Sequence, residues 1–201
     1  MVISPERLRM LEVIMKLSID NASRALSKTL RTGTKITLSK IYMADFNEAT
    51  EKMNTDTREM TGIIVNFKGN FGCKMLFMLP LEGSTILTDY YLRLPVGTTK
   101  EFNTDTESVS QELGNILASH ISNTLVSDFD ATLLPEPPQV HNDYAGIIFS
   151  SLLLEQGIYS DQLLLVETIF EICKTEIICY LFLLPELASL GKLLDAIGER
   201  K

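Results

Sequence analysis

The sequence predicts an α/β fold in which two pseudo-symmetric halves of one domain share a single central β-sheet. Three observations lead to this prediction. Each half begins with a long amphipathic helix and continues with three strand-like apolar runs, and the strand at 76–80 (LFMLP) is repeated at 181–185 (LFLLP). Halves of this size favour one shared sheet over two separate domains. We therefore expect a single domain over 1–201, with pseudo-repeats 1–100 and 101–201 joined through the segment 95–104.

The elements are predicted in the same order in both halves. Apolar residues at helical spacing predict long helices over roughly 5–30 and 105–129. Apolar runs bounded by turn residues predict strands at 36–42, 62–67, 76–80, 131–134, 162–172 and 181–185. A short helix is expected after each repeated strand, around Ser84 and Ser189, and a further helix from about Tyr144, with Asp143 as its N-cap.

Composition and charge disfavour several classes of function. The chain has 201 residues, of which 45% are apolar and 22% charged, as in ordinary folded proteins. Its net charge of −8 repels phosphate backbones and anionic lipids, so neither nucleic-acid binding nor membrane insertion is expected. The N-terminus lacks a signal-peptide pattern, and the longest apolar run, 177–185, is too short to span a bilayer. We expect a soluble, cytoplasmic protein.

Metal and thiol chemistry are also disfavoured. The three cysteines, Cys73, Cys173 and Cys179, lie in apolar runs and form no CxxC pair. Such cysteines are typical of buried, reduced thiols. The two histidines, His120 and His141, are far apart in the chain, so a His/Cys metal site is not expected.

The second long helix carries the candidate chemistry. Thr104 and Glu107 have capping-box spacing at its start. At about 100° per residue, one face is apolar, with Val109, Leu113, Ile116, Leu117 and Thr124. The opposite face is a polar stripe of Ser108, Glu112, Asn115, Ser119 and Ser122. The stripe has none of the Lys and Arg that usually cover an exposed helix, and i, i+3 spacing puts Glu112 beside Asn115. It is either a solvated surface or one that another protein approaches closely.

Four of these positions match a known motif. The run Ser108-(three)-Glu112-(two)-Asn115-(twenty-two)-Pro138, within QELGNILASHISNTL and LLPEPPQV, resembles the signature of the CheC/CheX/FliY family of chemotaxis phosphatases, in its CheC-type form. The segments DYAGIIFSSLLLEQG and LFLLPELASLGKLLDAIG also resemble the second half of CheC-type proteins. The resemblance covers essentially the whole chain. It implies a CheC-like fold with both long helices on one face of the sheet.

The resemblance also implies an activity. Members of the family remove the aspartyl phosphate from the response regulator CheY. By this resemblance, Asn115 orients the attacking water, Glu112 pairs with the phosphate-binding lysine of the regulator, Ser108 supports Glu112, and Pro138 fixes the turn after the strand. No cofactor of its own is expected, because Mg²⁺ is expected on the partner regulator. The segment around His141 resembles the region that contacts the deamidase CheD, which is therefore a second candidate partner.

The first long helix lacks this pair. Its segment NASRALSKTL, at 21–30, resembles the first helix of the family and fixes the alignment. The positions of Glu112, Asn115 and Pro138 then fall on Val13, Lys16 and Ser39. Lysine has no hydrogen-bond acceptor and would bring a cation towards the lysine of the regulator. One intact site is therefore expected, in the second half.

Two other functions stay open at this point. A non-catalytic module could bind a response regulator or CheD to adjust adaptation, although the intact Glu112 and Asn115 argue against it. A flagellar switch component like FliY also carries a C-terminal switch domain. We expect this alternative to be weaker, because the phosphatase-like repeat extends to the final IGERK.

Overall fold

The structure is a computed structural model that describes residues 4–129, 132–154, 162–172 and 175–186. These residues form a mixed α/β fold built on one seven-stranded sheet, in which every pairing is antiparallel. The predicted fold class is confirmed, and so is the prediction that both long helices pack on the same face of the sheet. None of the described helices is both long enough and apolar enough to cross a membrane.

The elements follow one another in chain order. They are α1 (Pro5–Leu30), β1 (Thr34–Asp45), α2 (Phe46–Thr55), β2 (Glu59–Gly69), β3 (Cys73–Pro80), α3 (Leu81–Leu92), α4 (Thr104–Phe129), β4 (Leu133–Pro135), β5 (Gln139–Tyr144), α5 (Ala145–Leu154), β6 (Gln162–Ile172) and β7 (Thr175–Pro185). The strand order is β1-β6-β7-β3-β2-β4, and β5 also pairs with β2. Each outer strand therefore pairs with a hairpin of the other half.

Two elements depart from the predicted order. α2 was not predicted, because its sequence is mostly polar and buries only Ala49 and Met53. β5 was also missed, because this edge strand has no buried residue along its length. Asp143 therefore lies within a strand, and its carboxylate accepts from the N–H of Tyr144 (2.8 Å), ahead of α5, rather than capping the helix.

The sheet separates two hydrophobic cores. The larger one lies between the sheet and α1, α3 and α4, and it includes Met15, Ile19, Phe77, Leu87, Leu113 and Phe170. The smaller one lies on the other face, under α2 and α5, and it includes Met53, Leu76, Phe149, Leu165 and Phe182. Alternate strand residues contribute to the two cores in turn, as the pleat of a strand requires.

The repeated five-residue strand does not mark equivalent positions. β3 and β7 are neighbours, with Leu76 opposite Phe182 and Phe77 opposite Leu181. Leu76 belongs to the core under α2 and α5, whereas Leu181, its counterpart in the repeat, belongs to the core under α1 and α4. The repeat is thus one residue out of structural register. The serine predicted to follow it, Ser189, lies outside the described residues.

The two free thiols of the described residues lie in strands. Cys73 is half-buried and Cys179 fully buried, and neither forms a disulfide. Burial raises the pKa of Cys73 to about 12 and raises the pKa of Cys179 as well. Thiols held in the protonated form are poor nucleophiles. Cys173 lies outside the described residues.

One buried carboxylate fixes the chain between α3 and α4. Asp89 is fully buried, and it accepts hydrogen bonds from the backbone N–H groups of Gly97 (2.7 Å), Thr98 (3.0 Å) and Thr99 (2.9 Å) and from the Thr99 hydroxyl (2.6 Å). Burial by itself raises the pKa of Asp89, but these hydrogen bonds, led by those from Thr99, outweigh it and hold the pKa below its usual value.

We predict that Asp89→Asn lowers the free energy of unfolding at pH 7 by about 1–3 kcal/mol, because an amide NH₂ would face backbone donors. Since the pKa of Asp89 is lowered in the folded state, its contribution is complete above the unfolded-state pKa of about 3.9. It is lost as the pH falls from there through the folded-state pKa. Urea unfolding at pH 7 and at pH 3 measures both effects. Asp20→Asn, at an exposed position of α1, is the control, and an equal effect of the two substitutions at pH 7 would contradict the prediction.

Candidate functional site

α4 begins at a different cap from the one predicted. The side-chain oxygen of Asn103 accepts from the N–H groups of Asp105 and Thr106, both at 3.0 Å, and its backbone carbonyl accepts from Glu107 (2.9 Å). Thr104 is already the first helical residue. The predicted capping box of Thr104 and Glu107 is therefore wrong by one residue. Asparagine is an equally favourable N-cap, so spacing alone did not distinguish the two starts.

The two faces of α4 are largely as predicted. Val109, Leu113, Leu117 and Thr124 are buried and Ile116 is half-buried against the larger core. On the opposite side, Ser108, Asn115 and Ser119 are exposed and Glu112 is half-buried. The Ser108 hydroxyl donates to the carbonyl of Thr104 (2.8 Å), one turn earlier in the helix. Glu112 and Asn115 therefore lie side by side on the solvent side of α4, between small hydroxyl side chains.

Ser122 is the exception in the predicted stripe. It is only 5% exposed, and its hydroxyl donates to the carbonyl of Leu133 in β4. The exposed face instead continues through Asn123 and Val126. β4 packs beside this end of α4 and covers Ser122, a tertiary contact that helical periodicity does not reveal.

A matching serine in α1 tests the alignment of the two long helices. Ser23 is buried and its hydroxyl donates to the carbonyl of Thr34 in β1 (3.3 Å). The donor serines of the two bonds, Ser23 and Ser122, are 99 residues apart in the chain. The same separation relates their acceptors, Thr34 and Leu133. The same offset takes Glu112 to Val13 and Asn115 to Lys16. This hydrogen bond thus supports the alignment that was made on sequence resemblance.

The corresponding face of α1 is chemically different. Val13 is 68% exposed, and Lys16 is exposed beside it. α1 carries five basic and three acidic residues, whereas α4 carries four carboxylates and neither Lys nor Arg. The two helices occupy equivalent places in the fold but carry net charges of opposite sign. At the two aligned positions, the carboxylate and amide pair is present on α4 and absent from α1.

Pro138 and Gly114 meet behind the pair. Pro138 is buried at the end of the break between β4 and β5. A Cβ atom added to Gly114 would lie 3.0 Å from both Cβ and Cγ of Pro138 and 2.6 Å from Cγ2 of Ile63. Sequence analysis did not single out Gly114, although a glycine inside a helix usually has a packing reason. No cluster of three metal-ligating side chains occurs in the ranges that the structure describes.

We predict that Ser122→Ala lowers the free energy of unfolding by about 1 kcal/mol, because the buried hydrogen bond to Leu133 is lost. Ser119→Ala, three residues away on the exposed face, should change it by less than about 0.5 kcal/mol. Urea unfolding of both variants makes the comparison. Equal effects would mean that the bond to Leu133 does not anchor α4.

Comparison with known proteins gives a relative that is similar over nearly the whole chain. No protein-family model matches the chain. Among curated proteins it is similar to the CheY-P phosphatase CheC of Bacillus subtilis (strain 168), with 22% identity over 200 residues, covering 98% of this chain and 96% of CheC.

Solved structures share the fold at lower identity. FliY of Thermotoga maritima has a TM-score of 0.77 and 15% identity, with 100% of both chains covered. The FliM middle domain of H. pylori has a TM-score of 0.70 and 12% identity, covering 96% of this chain and 99% of that one. A chain of the CheX–CheY–BeF3–Mg²⁺ complex of Borrelia burgdorferi has a TM-score of 0.53 and 14% identity, covering 84% of this chain and 95% of that one. The chain is thus similar in sequence to CheC over nearly its whole length, and it shares its fold with FliY, FliM and CheX.

Proposed function

We propose that this protein is a phosphatase that hydrolyses the aspartyl phosphate of a CheY-type response regulator in chemotaxis signalling. One observation carries the proposal: Glu112 and Asn115 lie together on the solvent side of α4 in a chain that is similar to CheC over 98% of its length. The relative is named as a CheY-P phosphatase. The pair has the spacing of the family motif that the sequence resembles.

Asn115 suits the positioning of a water molecule. An aspartyl phosphate is a reactive acyl phosphate, so its hydrolysis depends mainly on placing water in line with the phosphorus atom. A carboxamide offers one acceptor and two donor hydrogens and does so without any change of protonation. Asn115 is exposed, and Ser108 and Ser119 on the same face of α4 are small. The surface of a regulator can therefore approach α4 closely enough for the amide to reach a recessed phosphoryl group.

Glu112 suits the docking of a cation. It is half-buried one helical turn before Asn115, which limits its rotamers, and α4 has no cation of its own to neutralise it. By the family resemblance, its partner is the phosphate-binding lysine of the regulator. Mg²⁺ is expected on the regulator, where it would neutralise the charge of the phosphoryl oxygens. The chain then supplies orientation through Asn115 and attachment through Glu112.

We predict that Asn115→Ala lowers the rate of dephosphorylation by about 100-fold, the usual effect of removing a positioned donor from a reacting centre. The measurement is the decay of a phosphorylated CheY-type regulator with Mg²⁺ present. Lys16→Ala, at the equivalent exposed position of α1, is the matched control and should stay within twofold of the wild type. If the wild type binds the regulator and leaves its decay unchanged, the phosphatase proposal fails and a non-catalytic module takes its place.

A second candidate interaction lies on the opposite side of the sheet. A groove between α2 and α5 is lined by Met53, Asn54, Tyr144, Gly146, Ile147 and Ser150. Tyr144 is 57% and Ile147 is 51% exposed beside it. The segment around His141, which resembles the CheD-contacting region of CheC-type proteins, lies in β5 and leads to Tyr144 at this groove. We propose CheD as its partner, by a surface separate from Glu112 and Asn115.

We predict that Ile147→Lys weakens binding of purified CheD at least tenfold, because a charge would replace an exposed apolar contact. Isothermal titration calorimetry measures the affinity. Ile178→Lys is the matched control, since Ile178 is similarly exposed (53%) but lies on β7 and does not line the groove. Both variants should keep wild-type phosphatase activity. Unchanged CheD binding by Ile147→Lys would remove this surface from consideration.

A further inference from the structure

We infer that Gly114 and Pro138 are positioning residues for the Glu112–Asn115 pair. The absence of a side chain at Gly114 lets this turn of α4 rest directly on Pro138 and Ile63, and that contact fixes the depth and rotation at which the pair is presented. The inference rests on the proposed phosphatase function. It adds Gly114 to the site and gives Pro138, already a motif position, a role behind the pair, where both residues are buried.

The contact at Gly114 is unusually close and is made by rigid groups. A Cβ at this position would lie 2.6 Å from Ile63 Cγ2, whereas ordinary van der Waals contacts of a Cβ are 3.4–4 Å. Ile63 is branched at Cβ, and the ring of Pro138 fixes its own shape, so neither can turn aside easily. Any side chain at 114 would therefore move the helix outwards by about 1 Å, a displacement large enough to impair the alignment of reacting groups.

An extra residue in the break between β4 and β5 accompanies the placement of Pro138 against α4. Pro135 lies opposite Phe67, and Gln139 lies opposite Ile64. Three residues of the edge strand therefore face two residues of β2 across this break. Such a bulge redirects side chains and is common beside active sites. Here Pro138 is buried although Pro137, its neighbour, is exposed.

The first half of the chain provides an internal comparison. At the offset of 99 residues that relates the two serine anchors, Gly114 corresponds to Met15 and Pro138 to Ser39. Met15 is only 1% exposed, so a large side chain is accommodated at this position of α1. Ser39 lies at a register shift of β1 and is exposed. Packing a long helix on this sheet therefore does not require glycine.

The four differences between the halves occur together. Where Glu and Asn are replaced by Val13 and Lys16, the glycine and the proline behind them are replaced as well. A residue needed only for the fold would be expected in both halves. Gly114 and Pro138 instead accompany the reactive pair, which is why we assign them to its positioning.

The test measures kcat and KM for dephosphorylation of a CheY-type regulator, together with urea unfolding. Gly114→Ala should remain folded and lower kcat by about 100-fold. Ile63→Ala in the same chain removes the atom that the new methyl group meets and should restore kcat at least tenfold. A purely structural role would alter unfolding without this recovery of kcat.

A second variant keeps the inference testable should Gly114→Ala fail to fold. Pro138→Ala removes Cγ and Cδ of the ring, keeps Cβ and adds no heavy atom, and it should lower kcat about tenfold with KM within threefold of the wild type. Pro137→Ala, at the exposed neighbouring position, is the matched control and should stay within twofold. Equal kcat for these two variants, or a folded Gly114→Ala with wild-type kcat, overturns the inference. A wild type that does not accelerate decay at all overturns the proposed function instead, and with it any role in positioning.

Discussion

Each long helix is tied to the strand that follows it by a buried serine hydroxyl that donates to a strand carbonyl. Ser23 bonds Thr34 and Ser122 bonds Leu133. The net energy of each bond is about 1 kcal/mol, but its directional effect is larger. Leaving a buried hydroxyl without its partner costs free energy, so rotation of either helix about its axis is opposed by the loss of this bond. Together with the apolar faces that pack in the larger core, these two contacts hold α1 and α4 at equivalent rotations.

That constraint separates scaffold from chemistry. With the same rotation, α4 presents Glu112 and Asn115, whereas α1 presents Val13 and Lys16. The fold holds both helices equally, so the proposed activity depends on the residues placed at those positions and on how closely the backbone behind them is packed. One sheet and one packing arrangement thus hold the Glu112–Asn115 pair in one half and Val13 and Lys16 in the other.

Elements with strong apolar patterns were predictable from the sequence, and those with polar patterns were not. The long helices and the buried strands lie close to their predicted positions, because the periodicity of their sequences reflects burial in the larger core. α2 and β5 did not match, because each buries few residues or none and so leaves little apolar signal. The prediction that a polar stripe of α4 faces solvent was right at Ser108, Glu112, Asn115 and Ser119 but wrong at Ser122. Ser122 is buried by β4, and helical spacing within α4 does not indicate a contact with another element.

The strand β2 brings the two proposed surfaces together. Successive residues of a strand face opposite sides of the sheet, and here Gly62 meets Ile148 of α5 while Ile63 meets Gly114 of α4. At Gly62, as at Gly114, an added Cβ would lie 2.6 Å from its neighbour. Each helix thus approaches β2 at a glycine, on opposite faces and at consecutive positions. The backbone of β2 is therefore the common support for α4 and α5, while the groove beside α5 and the pair on the solvent side of α4 share no side chain.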